Sequence, residues 1–315
     1  MQGVSFVYTV FIDGREGTTG LRIFDRLSPR SDIELIVLPE EERKNPQRRK
    51  EALNQSDAAF LCLPDAAARE AVSMVENPKT VLLDTSTAHR THPDWAYGFP
   101  ELSEEHTQKI LSSKRIAVPG CHASGFIALI YPLIAAGILS YEALLCCHSL
   151  TGYSGGGKKM IAQYRACADS SLDAPRPYGW TQAHKHLPEM TQIPGLAHAP
   201  AFLPVVGNFY SGMLVSVPLH RAQLLNGASI DEVRSALSAA YAGKIVSYRE
   251  SLLENGFLSA GALSGSDAML VSAEGNAERM QLLALYDNLG KGASGAAVQV
   301  LNMIMGVDAT TGLQL

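Results

Sequence analysis

Ser5-Phe6-Val7-Tyr8-Thr9-Val10-Phe11-Ile12-Asp13-Gly14-Arg15-Glu16-Gly17-Thr18-Thr19-Gly20 runs from a short β-branched and aromatic segment into a glycine-rich turn. The apolar residues that follow, Leu21, Ile23, Phe24 and Leu27, recur at helical spacing. A buried strand, a turn with glycines at 14, 17 and 20, and a helix form the setting in which a backbone can approach a pyrophosphate at a helix N-terminus. The spacing is GxxGxxG rather than GxGxxG, and a turn that serves structure alone also fits it.

Working outward, the same kind of unit repeats. Ile33 to Leu38, Ala58 to Leu63, Val81 to Asp84 and Ile116 to Val118 read as further strands, with a helix from Ala66 to Val75. Strands that alternate with helical segments predict a parallel sheet covered on its faces, with ligands at the carboxyl ends of the strands. Past the second strand, Glu40 suits a ribose 2′-hydroxyl, whereas Arg43 and Lys44 suit a 2′-phosphate. The residues leave that choice open, and a solvated charged segment over 40–50 accounts for them as well.

The chain has 315 residues, 46% of them apolar and 18% charged, enough for a large core and two domains. A net charge of −5 argues against a general nucleic-acid binder, which needs a basic surface. Five cysteines without CxxC spacing suggest neither a disulfide framework nor a zinc ribbon, and fit a reducing, cytoplasmic setting. The longest apolar run, Phe126 to Tyr141, holds Pro132 and is too short for a membrane span, so a core helix is expected there. The N-terminus lacks the basic start and cleavage site of a signal peptide.

Chemistry-bearing residues gather in five places. Asp84-Thr85-Ser86-Thr87-Ala88-His89-Arg90 follows a strand, where hydroxyls and a guanidinium can hold a phosphate, or can simply form a turn. Pro119-Gly120-Cys121 opens onto a helix whose dipole favours a thiolate at Cys121, although a buried cysteine more often serves as a small hydrophobe. Thr151 to Lys159 holds three successive glycines and two lysines that can meet an anion, with a ligand-free flexible loop as the alternative. His184-Lys185-His186-Leu187-Pro188-Glu189 offers a proton donor, an acceptor and a carboxylate; zinc binding by Cys121, His184 and His186 is a weaker option because no recognised ligand spacing occurs. Asn288 to Gln299, rich in glycine and alanine, leads into an apolar helix over Val298 to Met305 that can pack closely on backbone or cofactor.

These motifs together resemble N-acetyl-γ-glutamyl-phosphate reductases, in particular their shorter-chain class, which are similar in architecture to aspartate-semialdehyde dehydrogenase. The resemblance covers essentially the whole chain. It implies an α/β protein: a Rossmann-type dinucleotide-binding domain over 1–120, completed by a C-terminal helix within 290–315, and a mixed α/β catalytic and oligomerisation domain over 121–289. It implies NADP(H) as cofactor, an acyl-phosphate or semialdehyde substrate with phosphate, a homo-oligomer (dimer or tetramer), and neither nucleic acid nor membrane as partner. By the same resemblance Cys121 is the nucleophile, His186 the acid/base with His184 as its rival, and Glu189 the group that orients or balances it. Residue chemistry and resemblance together place Arg90, Ser86, Ser154 and Lys185 toward substrate. They place Gly14, Gly17, Thr18, Thr19, Gly20, Arg43, Lys44, Ser86, Gly155, Gly156, Asn288 and Gly292 toward cofactor, and no residue toward a metal. The chain departs from longer-chain members after the cysteine, where His122, Ala123 and Ser124 stand in place of Tyr-Pro-Thr. Two other functions are compatible with the residues: an aspartate-semialdehyde dehydrogenase-type acyl-phosphate reductase, and a dinucleotide-binding module without catalysis.

Overall fold

The computed structural model describes residues 7–166 and 169–315, and its chain divides into two compact units. Unit 1 comprises Met1–Pro100, Glu105–Pro119 and Ala293–Leu313; unit 2 comprises Glu101–Glu104, Gly120–Gly292 and Gln314–Leu315. Residues 5 and 6 of the expected first strand lie outside the described residues.

Unit 1 is built in chain order from β1 (Tyr8–Asp13), α1 (Thr18–Leu27), β2 (Ile33–Ile36), α2 (Pro46–Gln55), β3 (Ala58–Leu61), α3 (Asp65–Ser73), β4 (Val81–Asp84), β5 (Ala96–Tyr97), α4 (Glu104–Ser112) and β6 (Arg115–Ala117). All strand pairs are parallel, in the order β2-β1-β3-β4-β6-β5. The chain winds outward in both directions from the β1/β3 pair, which opens a ligand crevice at the carboxyl end of β1. One face of the sheet packs on Ile23 and Leu27 of α1 and on the C-terminal helix Gly295–Met305, through Ala297, Val300 and Leu301. The other packs on Ala52 and Leu53 of α2 and Ala71 of α3. The charged segment after β2 resolves into a turn and α2, which starts where the Asn45 side chain accepts the N–H groups of Gln47 and Arg48 and Pro46 occupies the first turn.

Unit 2 begins with α5 (Cys121–Ala135), followed by β7 (Cys146–Gly152), α6 (Gly157–Arg165), β8 (Arg176–Pro177), α7 (Leu187–Gln192), β9 (Ala201–Gly207), β10 (Met213–His220), α8 (Ile230–Ala240), β11 (Val246–Tyr248), β12 (Met269–Gly275) and β13 (Arg279–Tyr286). The strands form one sheet in the order β11-β12-β13-β10-β7-β9-β8, antiparallel except for β11/β12 and β7/β9. β13 lies inside the sheet, paired along its length with β10 and β12. α5 is apolar on nearly every side and buried from His122 to Ile130, as a core helix must be. It packs on β10, β13, α7 and α8, covering one face of the sheet.

Candidate active site

In unit 1 the glycine turn closes the carboxyl end of β1. Gly14 has φ of +85°, and a Cβ there would lie 2.3 Å from the carbonyl oxygen of Cys62. A Cβ on Gly20 would lie 2.6 Å from the Gly14 carbonyl, so two of the three glycines are demanded by packing of turn, strand and helix. At Gly17 a Cβ would meet nothing nearer than 3.4 Å, and this residue caps α1 without any side-chain bond. The first turn of α1, with Thr18 and Thr19, thus offers its N–H groups to an anion.

A cavity of about 290 Å³ adjoins this turn, lined among others by Phe11, Gly14, Val37, Arg43, Lys44 and Arg49. Its apolar walls suit a planar base, and its cations suit phosphate, so the residues present fit the adenosine end of a dinucleotide. Arg43 pairs with Glu40 at 2.5 Å, so the two groups that the sequence offered as alternative ribose readers neutralise each other. Sequence reasoning missed Arg49, which grips Asp13 through two nitrogens at 3.1 Å and 2.8 Å. The only advance signal was an aspartate at the end of an apolar strand, a position that needs a buried partner.

The run after β4 is used largely by its own chain. Asp84 accepts the Ser86 N–H at 2.9 Å and hydroxyl at 2.8 Å, and holds His89 Nδ1 at 2.6 Å, while the His89 ring stacks on Trp95. Arg90 donates from Nε to the Val118 carbonyl at 3.0 Å and from Nη2 to the Thr85 carbonyl at 2.9 Å. Against the expectation of a phosphoryl clamp, this guanidinium is buried and braces the ends of the sheet strands.

In unit 2, Cys121 is the first residue of α5 and half-buried. The Gly120 N–H ahead of it donates to the Glu189 carboxylate at 3.0 Å, and Glu189 is buried. Glu189 therefore fixes the turn that carries the cysteine, a contact not foreseen in the sequence, where it was placed toward His186. Among the other described cysteines, burial pushes the Cys62 thiol up to about 12 and raises that of Cys147 further, which leaves both inert.

His122, His184 and His186 converge beside this turn, with ring centroids 5.5 Å, 5.5 Å and 4.8 Å apart. His122 has both nitrogens engaged: Nδ1 with Ser149 Oγ at 2.7 Å and Nε2 with the Tyr178 hydroxyl at 2.9 Å. Burial, reinforced by the charges of His184 and Lys185, depresses it to about 3, so it stays neutral. His184 is held down to about 4 by desolvation and Lys185, and its Nδ1 accepts the His186 backbone N–H at 3.2 Å. With that lone pair taken, the neutral His184 ring carries its hydrogen on Nε2 and is a donor there, not a base. Among the described residues no group of three or more His, Cys, Asp or Glu side chains is arranged to hold a metal ion.

The glycine loop after β7 is a 3₁₀ turn, Tyr153–Gly156, that runs into α6. Asn288 clamps it, donating to Ser154 Oγ at 3.0 Å and accepting the Gly212 N–H at 2.9 Å. Gly292 lies in a π-helical turn, Gly290–Ser294; a Cβ on it would stand 3.1 Å from Cys121 Cβ, so this glycine walls the cysteine.

The sequence compares closely with curated proteins along nearly its full length. It is 44% identical over 303 residues to the N-acetyl-γ-glutamyl-phosphate reductase of Burkholderia ambifaria, covering 95% of this chain and 96% of that one. It is 46% identical over 304 residues to the protein of that name from Rhizobium rhizogenes, covering 94% and 98%. The chain belongs to the N-acetyl-γ-glutamyl-phosphate reductase family. Two profiles match within it: semialdehyde dehydrogenase, NAD binding domain, over residues 9–110, and semialdehyde dehydrogenase, dimerisation domain, over residues 121–288. Among solved structures, aspartate semialdehyde dehydrogenase II of Vibrio cholerae, complexed with ASA, superposes with a TM-score of 0.73 at 14% identity, covering 95% of this chain and 98% of that one. The Candida albicans enzyme with NADP does so at 0.65 and 15%, covering 95% and 98%. At such identities these neighbours share the fold of the reductase family and nothing finer.

Proposed function

We propose that this chain reduces N-acetyl-γ-glutamyl phosphate to N-acetyl-L-glutamate 5-semialdehyde and phosphate with NADPH, reversibly, as a step of L-arginine biosynthesis. The observation that carries the reading is Cys121 at the head of α5, its turn tied down by Glu189 and three histidines gathered beside it. A thiolate there attacks the acyl carbon; the C–O bond to phosphate breaks, phosphate leaves, and a thioester forms on Cys121. Bound NADPH supplies the hydride that reduces this thioester. The resulting hemithioacetal collapses when its C–S bond breaks, returning the thiolate and releasing the aldehyde. Backbone N–H groups at the head of α5 stabilise the oxyanion, worth roughly 3 to 4 kcal/mol per donor in enzymes of known mechanism.

His186 is the acid/base: it takes the Cys121 proton and later exchanges one with the hemithioacetal oxygen. The bonding of its two neighbours supports this, since His122 has no nitrogen to spare and His184 presents an N–H. Lys185, exposed on the same segment, is the partner offered for a substrate anion. Lys44, with Arg43, faces the cavity where a 2′-phosphate would lie. Unit 1 acts as the cofactor domain and unit 2 as the catalytic domain.

The reductase is a homo-oligomer in this reading. On the sheet face away from α5, Leu150, Leu203, Val205 and Leu214 lie side by side and half-exposed, an apolar surface that a second copy would cover. Phosphate-dependent reduction of NADP⁺ with N-acetylglutamate semialdehyde, run beside aspartate semialdehyde, tests the function. Turnover of the first substrate is expected; preference for the second, or turnover that survives Cys121→Ala, would overturn it.

A further inference from the structure

β13 ends in Tyr286, whose ring is wholly buried (0% exposed) against the first turn of α5. Its hydroxyl donates to the Cys121 carbonyl at 2.5 Å and accepts the Gly125 N–H at 3.0 Å. A regular α-helix pairs those two groups, residues i and i+4, directly with each other. The preceding rung is the ordinary one, Ser124 N–H to the Gly120 carbonyl at 2.9 Å. The phenol therefore bonds both partners of the second rung at once, alongside the helical ladder that starts at Cys121.

Only glycine at 125 admits it. A Cβ there would lie 2.7 Å from the Tyr286 hydroxyl, 2.7 Å from Val215 Cγ2 and 2.8 Å from the ring. Tyr286 is itself held on both sides, opposite Met213 of β10 and Met269 of β12. The first turn of α5 is in this way bolted to the centre of a sheet, in addition to the Glu189 bond to Gly120.

We infer that Tyr286 is a positioning residue for Cys121: its hydroxyl, bridging the second rung of α5 through the opening left by Gly125, sets where the sulfur stands. Burial and the adjacent Cys121 raise the phenol well above its ordinary range, so it remains a hydroxyl donor at any pH at which the enzyme works. The inference rests on Cys121 being the nucleophile, and Cys121→Ser tests that separately: if this variant retains turnover, the proposed function falls, whatever Tyr286 does.

The decisive variant is Tyr286→Phe, which keeps the ring and removes the bridge. In phosphate-dependent semialdehyde oxidation, kcat should fall about 10- to 100-fold with KM within about twofold, because sub-ångström misplacement of a reacting atom acts on the chemical step. The rate of Cys121 alkylation by iodoacetamide, followed across pH, should shift in parallel; the ionisable groups around that turn are His122, His184, His186, Tyr178, Tyr286 and Glu189. A variant that loses only thermal stability, with wild-type kcat per titratable Cys121 and an unchanged alkylation profile, overturns the inference. If Tyr286→Phe does not fold, 3-fluorotyrosine placed at 286 keeps the ring and the bridge and makes the hydroxyl a stronger donor. Its Cys121 alkylation rate should then differ at least threefold from wild type, and an equal rate overturns the inference.

Discussion

At the scale of the residue, the histidines show how hydrogen bonds assign roles that residue type leaves open. His184 and His186 are two positions apart and chemically equivalent as written, yet the first spends its Nδ1 lone pair on the backbone N–H of the second. His186→Asn should therefore cost ~10² to 10⁴ in kcat, the ordinary worth of a general acid/base, whereas His184→Asn should cost at most about tenfold. Steady-state kinetics of both variants check this, and a larger loss at 184 would exchange their roles. His122 makes a different prediction. Its ordinary value near 6.5 falls to about 3 on folding, so below about 6.5 the unfolded chain takes up a proton that the folded chain refuses. Stability should thus fall as pH drops from about 6.5 toward 3, with His122 alone removing roughly 2 kcal/mol between pH 7 and 5. Urea unfolding at the two pH values measures the loss, and His122→Gln should flatten it.

At the scale of the element, α5 is the part on which the chemistry turns, and it is gripped at its head by segments that share no local sequence with it. Glu189 holds the residue before the helix, Tyr286 bridges its second rung, and the π-helical turn Gly290–Ser294 presses Gly292 against Cys121. That turn is anchored in turn by Lys291, which is buried and bonds both Glu101 oxygens at 2.8 Å and 2.7 Å. Gly292→Ala would set a methyl 3.1 Å from both Cys121 Cβ and the Asp287 carbonyl, neither able to retreat without moving backbone. The expected outcome is a kcat loss of about tenfold or more with a smaller change in stability, read by kinetics beside thermal unfolding.

For the whole molecule, the informative surface is the open face of the second sheet. Leu214 pairs with Leu150, and Leu150 with Val205, so three strands contribute one continuous apolar strip. A charge at its centre would be buried unpaired in any assembly that uses this face, at several kcal/mol. Leu214→Asp should therefore yield a monomer by size-exclusion chromatography with light scattering, still folded by circular dichroism. An unchanged oligomer would place the subunit interface elsewhere.

Much of the architecture was legible in the chain because it depends on neighbours in sequence. The strand, glycine turn and helix over residues 8–27 follow from apolar periodicity and from backbone positions that only glycine satisfies, and the cysteine at the head of α5 follows from a Pro-Gly turn before an apolar run. Arg90, Glu189 and Asn288 were conspicuous as polar residues, but the partners that define their work, the Val118 carbonyl, the Gly120 N–H and the pair Ser154 and Gly212, lie 28, 69, 134 and 76 positions away. Tyr286 belongs to no motif of the chain; its contact with the head of α5 spans 165 positions. The nucleotide-binding fold, the family and a cysteine at the head of an apolar helix could be read from the chain, since periodicity, turn chemistry and motif order are local properties. Only packing in three dimensions set which nitrogens of His122 and His184 are taken and which groups bond the head of α5, since a buried donor or acceptor takes whichever partner the fold brings to it.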